Sequence, residues 1–459
     1  MAQLIGQSIH NSEKVKSLVE GLIAEVQSHC GKIERSQGAD QNLAASYQEQ
    51  VDKFGQLRGR PLYFPYIGTG AGRGPYVELA DGSVKLDLIN GIGIHIMGHS
   101  HPEVMEAAVW GSLSDIIIQG NLQPNQEYGE MAQKLVELAG RKSRLKYAWV
   151  TTSGSMANEN ALKSCRQKTT PSRKVIVFEA AFAGRTTMMA ELSDNSNFKV
   201  GLPEYNEVLR LPFYNKKDPA SLEKTLSMLK CHIGENQKDI CAFMFEPMQG
   251  EGGYNMAPRE FFIPLFKECR KAGIPIWADE IQTFCRTGEF FAFETLDFGE
   301  YIDVCTVAKA LQSGATLYTE ELNPKPGLIA GTFTGCGAEL RAGLKILSIL
   351  DNQGYMGANG KVATIHRKFL DMINRLNETS CRGLLQGARG VGLMVAVTPL
   401  DGSKERQGEL LKTLYKNGLL AFGCGRGPFS LRFLLPIVMT VDDIAHAGEI
   451  LEKSILELA

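Results

Sequence analysis

No two cysteines in this 459-residue chain are spaced as C-x-x-C, and none has a histidine at zinc-finger distance, so the ten scattered thiols do not read as a metal site. Several, such as Cys241 and Cys305, stand in apolar runs and read as buried free thiols, which points to a reducing compartment. An excess of one charge is also missing: 49 Lys plus Arg face 51 Asp plus Glu. Nothing in that balance drives sequence-independent binding to nucleic acid or to an anionic membrane. There is no apolar run of 18 or more residues, and Met1 to His10 lack the basic-then-apolar order of a signal peptide, so a cytoplasmic protein is expected. Internal repeats and low-complexity segments are absent too. What is present is a globular composition, 44% apolar and 22% charged with 48 Gly, in a chain long enough for two or three domains.

Residues 1–58 are mostly polar, with Val15, Leu18, Val19, Leu22, Ile23 and Val26 at helical spacing, and read as a helical arm. Arg60 to Gly74 reads as an irregular entry segment and Tyr76 to Ile89 as a hairpin around Asp81-Gly82. Short apolar runs then alternate with helical periods: Tyr147–Thr151, Lys174–Phe178, Cys241–Phe245, Ile274–Ala278 and Val304–Val307. Each gap is long enough for a crossover helix, which parallel neighbours require. The fold class is therefore α/β. A large, mostly parallel-sheet domain over 76–335 is expected to follow an arm and entry segment over 1–75. A smaller C-terminal α/β domain is expected over 336–459, with a helix at Glu339–Leu350, strands at Gly392–Val397 and Leu431–Leu435, and a last helix from Val441.

Ligands of open α/β sheets bind beyond the carboxyl ends of the strands, so the residue that ends each run carries the information. Tyr147–Thr151 ends in Thr152-Ser153-Gly154-Ser155 ahead of a helical stretch, an arrangement suited to a phosphate and equally to a Ser/Thr helix cap. Ile274–Ala278 ends in Asp279-Glu280, with Gln282 beyond; a carboxylate there needs a cation or a donor, or serves as a helix cap. Two residues past Val304–Val307 stands Lys309 among Ala308, Ala310 and Leu311, and a desolvated lysine is a nucleophile toward carbonyls. Phe182 offers a flat face next to Gly184-Arg185, and Glu246 to Gly253 carries two acids and three glycines. The Gly68–Gly74 segment fits neither a dinucleotide nor a P-loop spacing. A phosphate cradle, an aromatic face, an acid for a pyridinium nitrogen and a nucleophilic lysine are together what pyridoxal 5′-phosphate (PLP) demands.

These motifs carry a resemblance. From about residue 60 onward the chain resembles the fold-type I, class III PLP-dependent aminotransferases that act on 4-aminobutyrate, ornithine, acetylornithine and lysine. Gly98-His99-Ser100-His101-Pro102 is similar to the family's Gly-His-x-His-Pro segment. Ser153 to Glu159 resembles its phosphate loop, which implies phosphate contacts at Gly154 and Ser155. Phe182-Ala183-Gly184-Arg185-Thr186 is similar to a motif whose aromatic stacks on the pyridine ring and whose Arg meets a distal carboxylate. Glu246 to Glu251 resembles the Glu-Pro-x-Gln-Gly-Glu block, and Asp279-Glu280-Ile281-Gln282 the segment that sets Asp279 on the ring nitrogen and Gln282 near the phenolic oxygen. Ala308-Lys309-Ala310-Leu311 resembles the Schiff-base lysine motif. The resemblance further implies a phosphate contact from Thr332 of a neighbouring subunit, hence a homodimer with shared active sites. It also implies Arg432 for the substrate α-carboxylate, and Glu251 as the partner of Arg432 while an ω-amine is bound. The chain departs from the family pattern at Ala183, Met156, the shortened Thr283–Gly288 loop, Gln312-Ser313 and Cys336-Gly337, all around the rim of the cofactor. The expected activity is transfer of an amino group from an ω-amino acid or related amine to an α-keto acid, 2-oxoglutarate by preference, in a ping-pong reaction through Lys309 with Asp279 holding the ring nitrogen protonated. Two alternatives stand beside it: an epimerase or aminomutase of the same class, and a non-enzymatic PLP-fold binding protein.

Overall fold

The computed structural model describes residues 4–114, 120, 122–236 and 238–459. They form two compact units, one made of the chain up to Trp110 together with Asn359–Ala459, the other of Gly111–Ala358. The division differs from the expected boundaries at 75/76 and 335/336, for reasons visible in the pairing. Strand Leu419–Leu420 runs parallel to Val84–Asp87, Leu434 N–H donates to Leu88, and Tyr76 Oη donates to Asp443, so the hairpin groups with the C-terminal segment. Helix Gly337–Asn352 belongs with Gln126–Gly140 instead, joined by Arg341–Glu127 and Arg141–Asp351 ion pairs at 2.7 and 2.8 Å.

The Gly111–Ala358 unit is built on a seven-stranded sheet. Its strands are β1 (Tyr147–Thr151), β2 (Lys174–Phe178), β3 (Val208–Leu211), β4 (Ile240–Phe245), β5 (Ile276–Asp279), β6 (Val304–Val307) and β7 (Gly314–Tyr318), in the spatial order β1-β7-β6-β5-β4-β2-β3. The neighbours from β6 to β3 pair in parallel and β7 pairs antiparallel with both β6 and β1. Each apolar run picked out between 147 and 307 is a strand. Covered on both faces, β4, β5 and β6 are buried at every residue, which is why they read as unbroken apolar runs. Helix Gly154–Lys168 buries Ala157, Ala161, Leu162 and Cys165, one face at helical spacing, and they share a core with Val175, Val177, Ala242 and Met244 of the sheet.

In the other unit, Glu13–Cys30 forms the expected helix and buries Val19, Ile23 and Cys30. The expected hairpin pairs Glu78 with Val84, but Gly68–Arg73 is a strand rather than an irregular segment, paired antiparallel with Tyr76–Leu79. A four-stranded antiparallel sheet holds Leu385–Val391, Met394–Pro399, Ser430–Leu434 and Phe422–Cys424 in that order, and Val441–Leu456 is the last helix. All ten cysteines are free thiols, most of them buried. No helix among the described residues is long and apolar enough to cross a membrane.

Candidate active site

The loops leaving β1, β2, β4, β5 and β6 come together at the carboxyl end of the sheet. β1 runs into Ser153, whose Oγ caps the Gly154–Lys168 helix by accepting from Met156 N–H at 3.3 Å. The remaining first-turn N–H groups and the positive end of the helix dipole can receive an anion there. Two glycines set how closely the neighbouring loops approach. A Cβ on Gly154 would meet Ile281 Cδ1 at 2.8 Å, and one on Gly184, which is also left-handed at φ 133°, would meet Ser155 Oγ at 2.4 Å. The loop after β2 is thus pressed onto the helix N-terminus, where Arg185 N–H donates to Ser155 Oγ at 3.4 Å.

Asp279 ends β5 in a buried position. Its Oδ2 accepts from Asn158 Nδ2 at 2.8 Å and its Oδ1 from Ile281 N–H at 3.0 Å. Burial pushes its carboxyl up to about 6, opposed by these two donors and by the charge of Lys309. Lys309 lies three residues beyond Thr306, the β6 partner of Asp279. It opens a single 3-10 turn with a left-handed φ of 55°, a conformation that costs a non-glycine residue about 1 kcal/mol and marks a constrained position. Gln282 is buried, and its Oε1 has no hydrogen-bond partner among the described residues.

Glu246, just past β4, is also buried. Its two oxygens accept from Phe182 N–H at 3.0 Å and Gly250 N–H at 2.9 Å. Burial, with the nearby Asp279 charge in second place, pushes it up to about 8. Glu280 accepts from Thr283 Oγ1 and from the N–H groups of Ala292 and Phe293, the latter two at 2.9 Å, and burial pushes it up to about 7. Phe182 is half-buried and Arg185 exposed beside it.

One unit therefore gathers Gly154, Ser155, Phe182, Arg185, Asp279, Gln282 and Lys309. Glu251 is half-buried in the turn after Gly250, near enough for its charge to raise Glu246. Thr332 is exposed on the loop ahead of Gly337–Asn352. Arg432 belongs to the other unit: it is fully buried in Ser430–Leu434, with Cζ 5.4 Å from the centre of the Phe422 ring. Sequence reasoning assigned no role to Asn158, whose Nδ2 also donates to Ala183 O at 2.7 Å and so ties the β2 loop to Asp279. Its place one turn after Gly154 was the available signal. Nor did it assign one to Glu280, because two adjacent acids do not reveal which of them faces inward.

The arrangement suits PLP. A helix N-terminus with Ser155 can take its phosphate, Phe182 can face its ring, and Lys309 can meet its aldehyde. The desolvated Asp279 carboxylate gains from a cation, and the unpaired Gln282 Oε1 gains from a donor.

Comparison with known proteins agrees. The family model described as aminotransferase class-III matches residues 64–455. An acetylornithine aminotransferase of Bacillus subtilis is 32% identical, covering 83% of this chain and 93% of the relative. A probable 4-aminobutyrate aminotransferase of the same organism is 31% identical (82% and 90%), and an acetylornithine aminotransferase of Myxococcus xanthus 30% (88% and 98%). Among solved structures, a Bacillus anthracis aminotransferase superposes with a TM-score of 0.80 at 21% identity, covering 90% of this chain and 99% of that one. The Toxoplasma gondii ornithine aminotransferase does so with a TM-score of 0.75 at 22% identity (90% and 98%). The fold is thus fold type I, and the chain belongs to the class-III aminotransferase family as an enzyme that takes PLP as its cofactor.

Proposed function

We propose that this enzyme moves an amino group from an ω-amino acid or a related amine to an α-keto acid, 2-oxoglutarate by preference, in two half-reactions of ping-pong type. The observation that carries the reading is the buried Asp279 carboxylate, raised to about 6 and matched by Asn158 and Ile281 rather than by an arginine. When bound, PLP supplies a carbonyl for amines and a ring that takes up electrons once its nitrogen is protonated. Asp279 holds the proton on that nitrogen, since a cation in contact with a desolvated carboxylate favours both charges. Lys309 would be the covalent anchor, and its freed Nζ would serve as the base that carries a proton from the amine-bearing carbon to the cofactor in one half-reaction and back in the other. Gly154 and Ser155 would bind the phosphate, Phe182 would face the ring, and Gln282 would stand near the phenolic oxygen.

Arg185 and Arg432 take the two carboxylates of glutarate-like substrates by forked hydrogen bonds. Glu251 pairs with Arg432 when the donor is an ω-amine and releases it for the keto acid. Thr332, exposed, is offered to the phosphate of a second copy, making a homodimer in the cytoplasm. The names of relatives that act on acetylornithine and 4-aminobutyrate support the substrate class.

The test is a panel of ω-amino acids, diamines and α-amino acids added to the holoenzyme, read by loss of the cofactor's visible band and its return with 2-oxoglutarate. ω-Amino acids are expected to bleach the band and 2-oxoglutarate to restore it. Reaction with α-amino acids alone would overturn the substrate class. Turnover without any keto-acid requirement would instead identify an epimerase or aminomutase.

A further inference from the structure

Arg185 does not project freely from its loop. Its guanidinium carbon lies 3.4 Å from the centre of the Phe198 ring, van der Waals distance over the face, and 5.9 Å from that of Phe182. The two rings meet edge to face, with centres 5.7 Å apart and planes at 87°. Phe198 ends a 3-10 turn, Ser196–Phe198, in which Asn195 Oδ1 accepts from Asn197 N–H at 3.1 Å and Asn195 O from Phe198 N–H at 3.0 Å. The turn is laced to the loop that carries Arg185. Asp194 N–H donates to Ala181 O at 2.8 Å, Asp194 Oδ2 accepts from Ala180 N–H at 2.7 Å, and Ser193 Oγ accepts from Ala183 N–H at 2.9 Å. The shelf under the guanidinium is thus held by backbone.

A guanidinium that gives its face to a ring keeps its N–H edge for a ligand, and that planar edge matches a carboxylate in two-point contact. Among the described residues the Arg185 side chain makes no hydrogen bond and no ion pair, so the edge carries no protein carboxylate. Without the ring, the long side chain would sample many rotamers and binding would have to order it.

We propose that Phe198 is the residue that gives this enzyme its preference for donors with a carboxylate distant from the amine, by holding Arg185 flat and presenting its edge. This rests on the reading of Arg185 as the distal-carboxylate ligand. Phe198 touches neither cofactor nor reacting atoms in this scheme. It is a positioning residue, and its loss is expected to raise KM rather than lower kcat.

The experiment compares holoenzyme with Phe198→Ala, Phe198→Tyr and Arg185→Ala, using an ω-amino acid and a diamine of equal chain length, alongside calorimetric binding of glutarate, which cannot be transaminated. Phe198→Ala is expected to raise KM for the ω-amino acid about tenfold with kcat within about twofold, and to weaken glutarate by a similar factor, as loss of a desolvated cation–π contact would. The diamine KM should stay within about twofold, and Phe198→Tyr should restore the ω-amino acid value, as a ring of the same face must. An equal change for both donors, or failure of the tyrosine variant to restore KM, overturns the role of Phe198. If Arg185→Ala leaves the ω-amino acid and glutarate unaffected, the reading of Arg185 fails as well. If Arg185→Ala weakens both and Phe198→Ala does not, only the inference about Phe198 falls.

Discussion

The two ends of the seven-stranded sheet handle carboxylates in opposite ways. At the amino end an acid stands just before each of three strands, and each has a cation. Glu207 meets Arg166 at 2.6 Å, Asp239 meets Arg173 at 3.6 Å and Lys174 at 3.8 Å, and Asp303 meets Arg144. At the carboxyl end Glu246, Asp279 and Glu280 are more deeply buried, yet none makes an ion pair among the described residues, and backbone N–H groups and neutral side chains hold them instead. Their carboxyls rise to about 8, 6 and 7. Asp303 is also raised by burial, but Ile276 N–H, Arg144 and Arg270 counter it. One end spends its charges on surface pairs, while the other keeps acids desolvated and leaves Asp279 able to meet a cation that is not protein. Ionising a buried acid without a protein counter-ion is destabilising, so this end of the sheet is where function outweighs stability.

That contrast can be broken or sharpened by substitution. Lys309→Ala is expected to lower transaminase turnover by about a thousandfold or more, since in the proposed reaction Lys309 is both the anchor and the proton carrier, as read in single-turnover spectra. Asp279→Asn should reduce kcat/KM by about a hundredfold with the fold intact. A tenfold loss or less would mean that the ring nitrogen does not depend on this carboxylate. Glu280→Ala should cost about 3 kcal/mol in denaturant unfolding, because the buried N–H groups of Ala292 and Phe293 lose their acceptor.

The pH dependence has a definite sign. In the apoprotein Glu246 keeps its proton up to about 8, whereas the unfolded chain releases it near about 4. Between those values the native state binds more protons, so its stability falls as pH rises through that window. Glu246→Gln should flatten this slope in denaturant midpoints measured from about pH 5 to about pH 8; an unchanged slope would assign it elsewhere. The smallest effect belongs to the amino end: Arg166→Ala should cost no more than about 1 kcal/mol, because its pair with Glu207 is partly exposed. A loss of several kcal/mol there would erase the distinction between the two ends.

Much of the sheet was legible because strands covered on both faces must be apolar throughout. β3 and β7 escaped notice for the opposite reason. Arg210 interrupts Val208–Leu211, and its guanidinium donates to the carbonyls of Phe178, Glu191, Leu192 and Ser193, far from it in sequence. Gly314–Tyr318 begins with Gly and Ala and is a strand because it closes antiparallel against β6 and β1. The unit boundaries were illegible as well, since a two-residue strand at Leu419–Leu420 and the bond from Tyr76 to Asp443 join segments more than 300 residues apart.

By itself, the order of residue types determined the chemistry available: a hydroxyl-rich helix start after β1, an acid at the end of β5, a lysine after β6 and an aromatic beside an arginine after β2. A parallel sheet delivers every strand end to the same edge, so local sequence was enough to assemble those parts. Only the tertiary structure decided what each group experiences. Asn158 meets Asp279, Glu246 bridges the loops after β2 and β4, and Arg185 lies on Phe198, thirteen residues along the chain. Desolvation, counter-ions and the rotamer of a long side chain depend on neighbours remote in sequence, and folding alone brings them within a few ångströms.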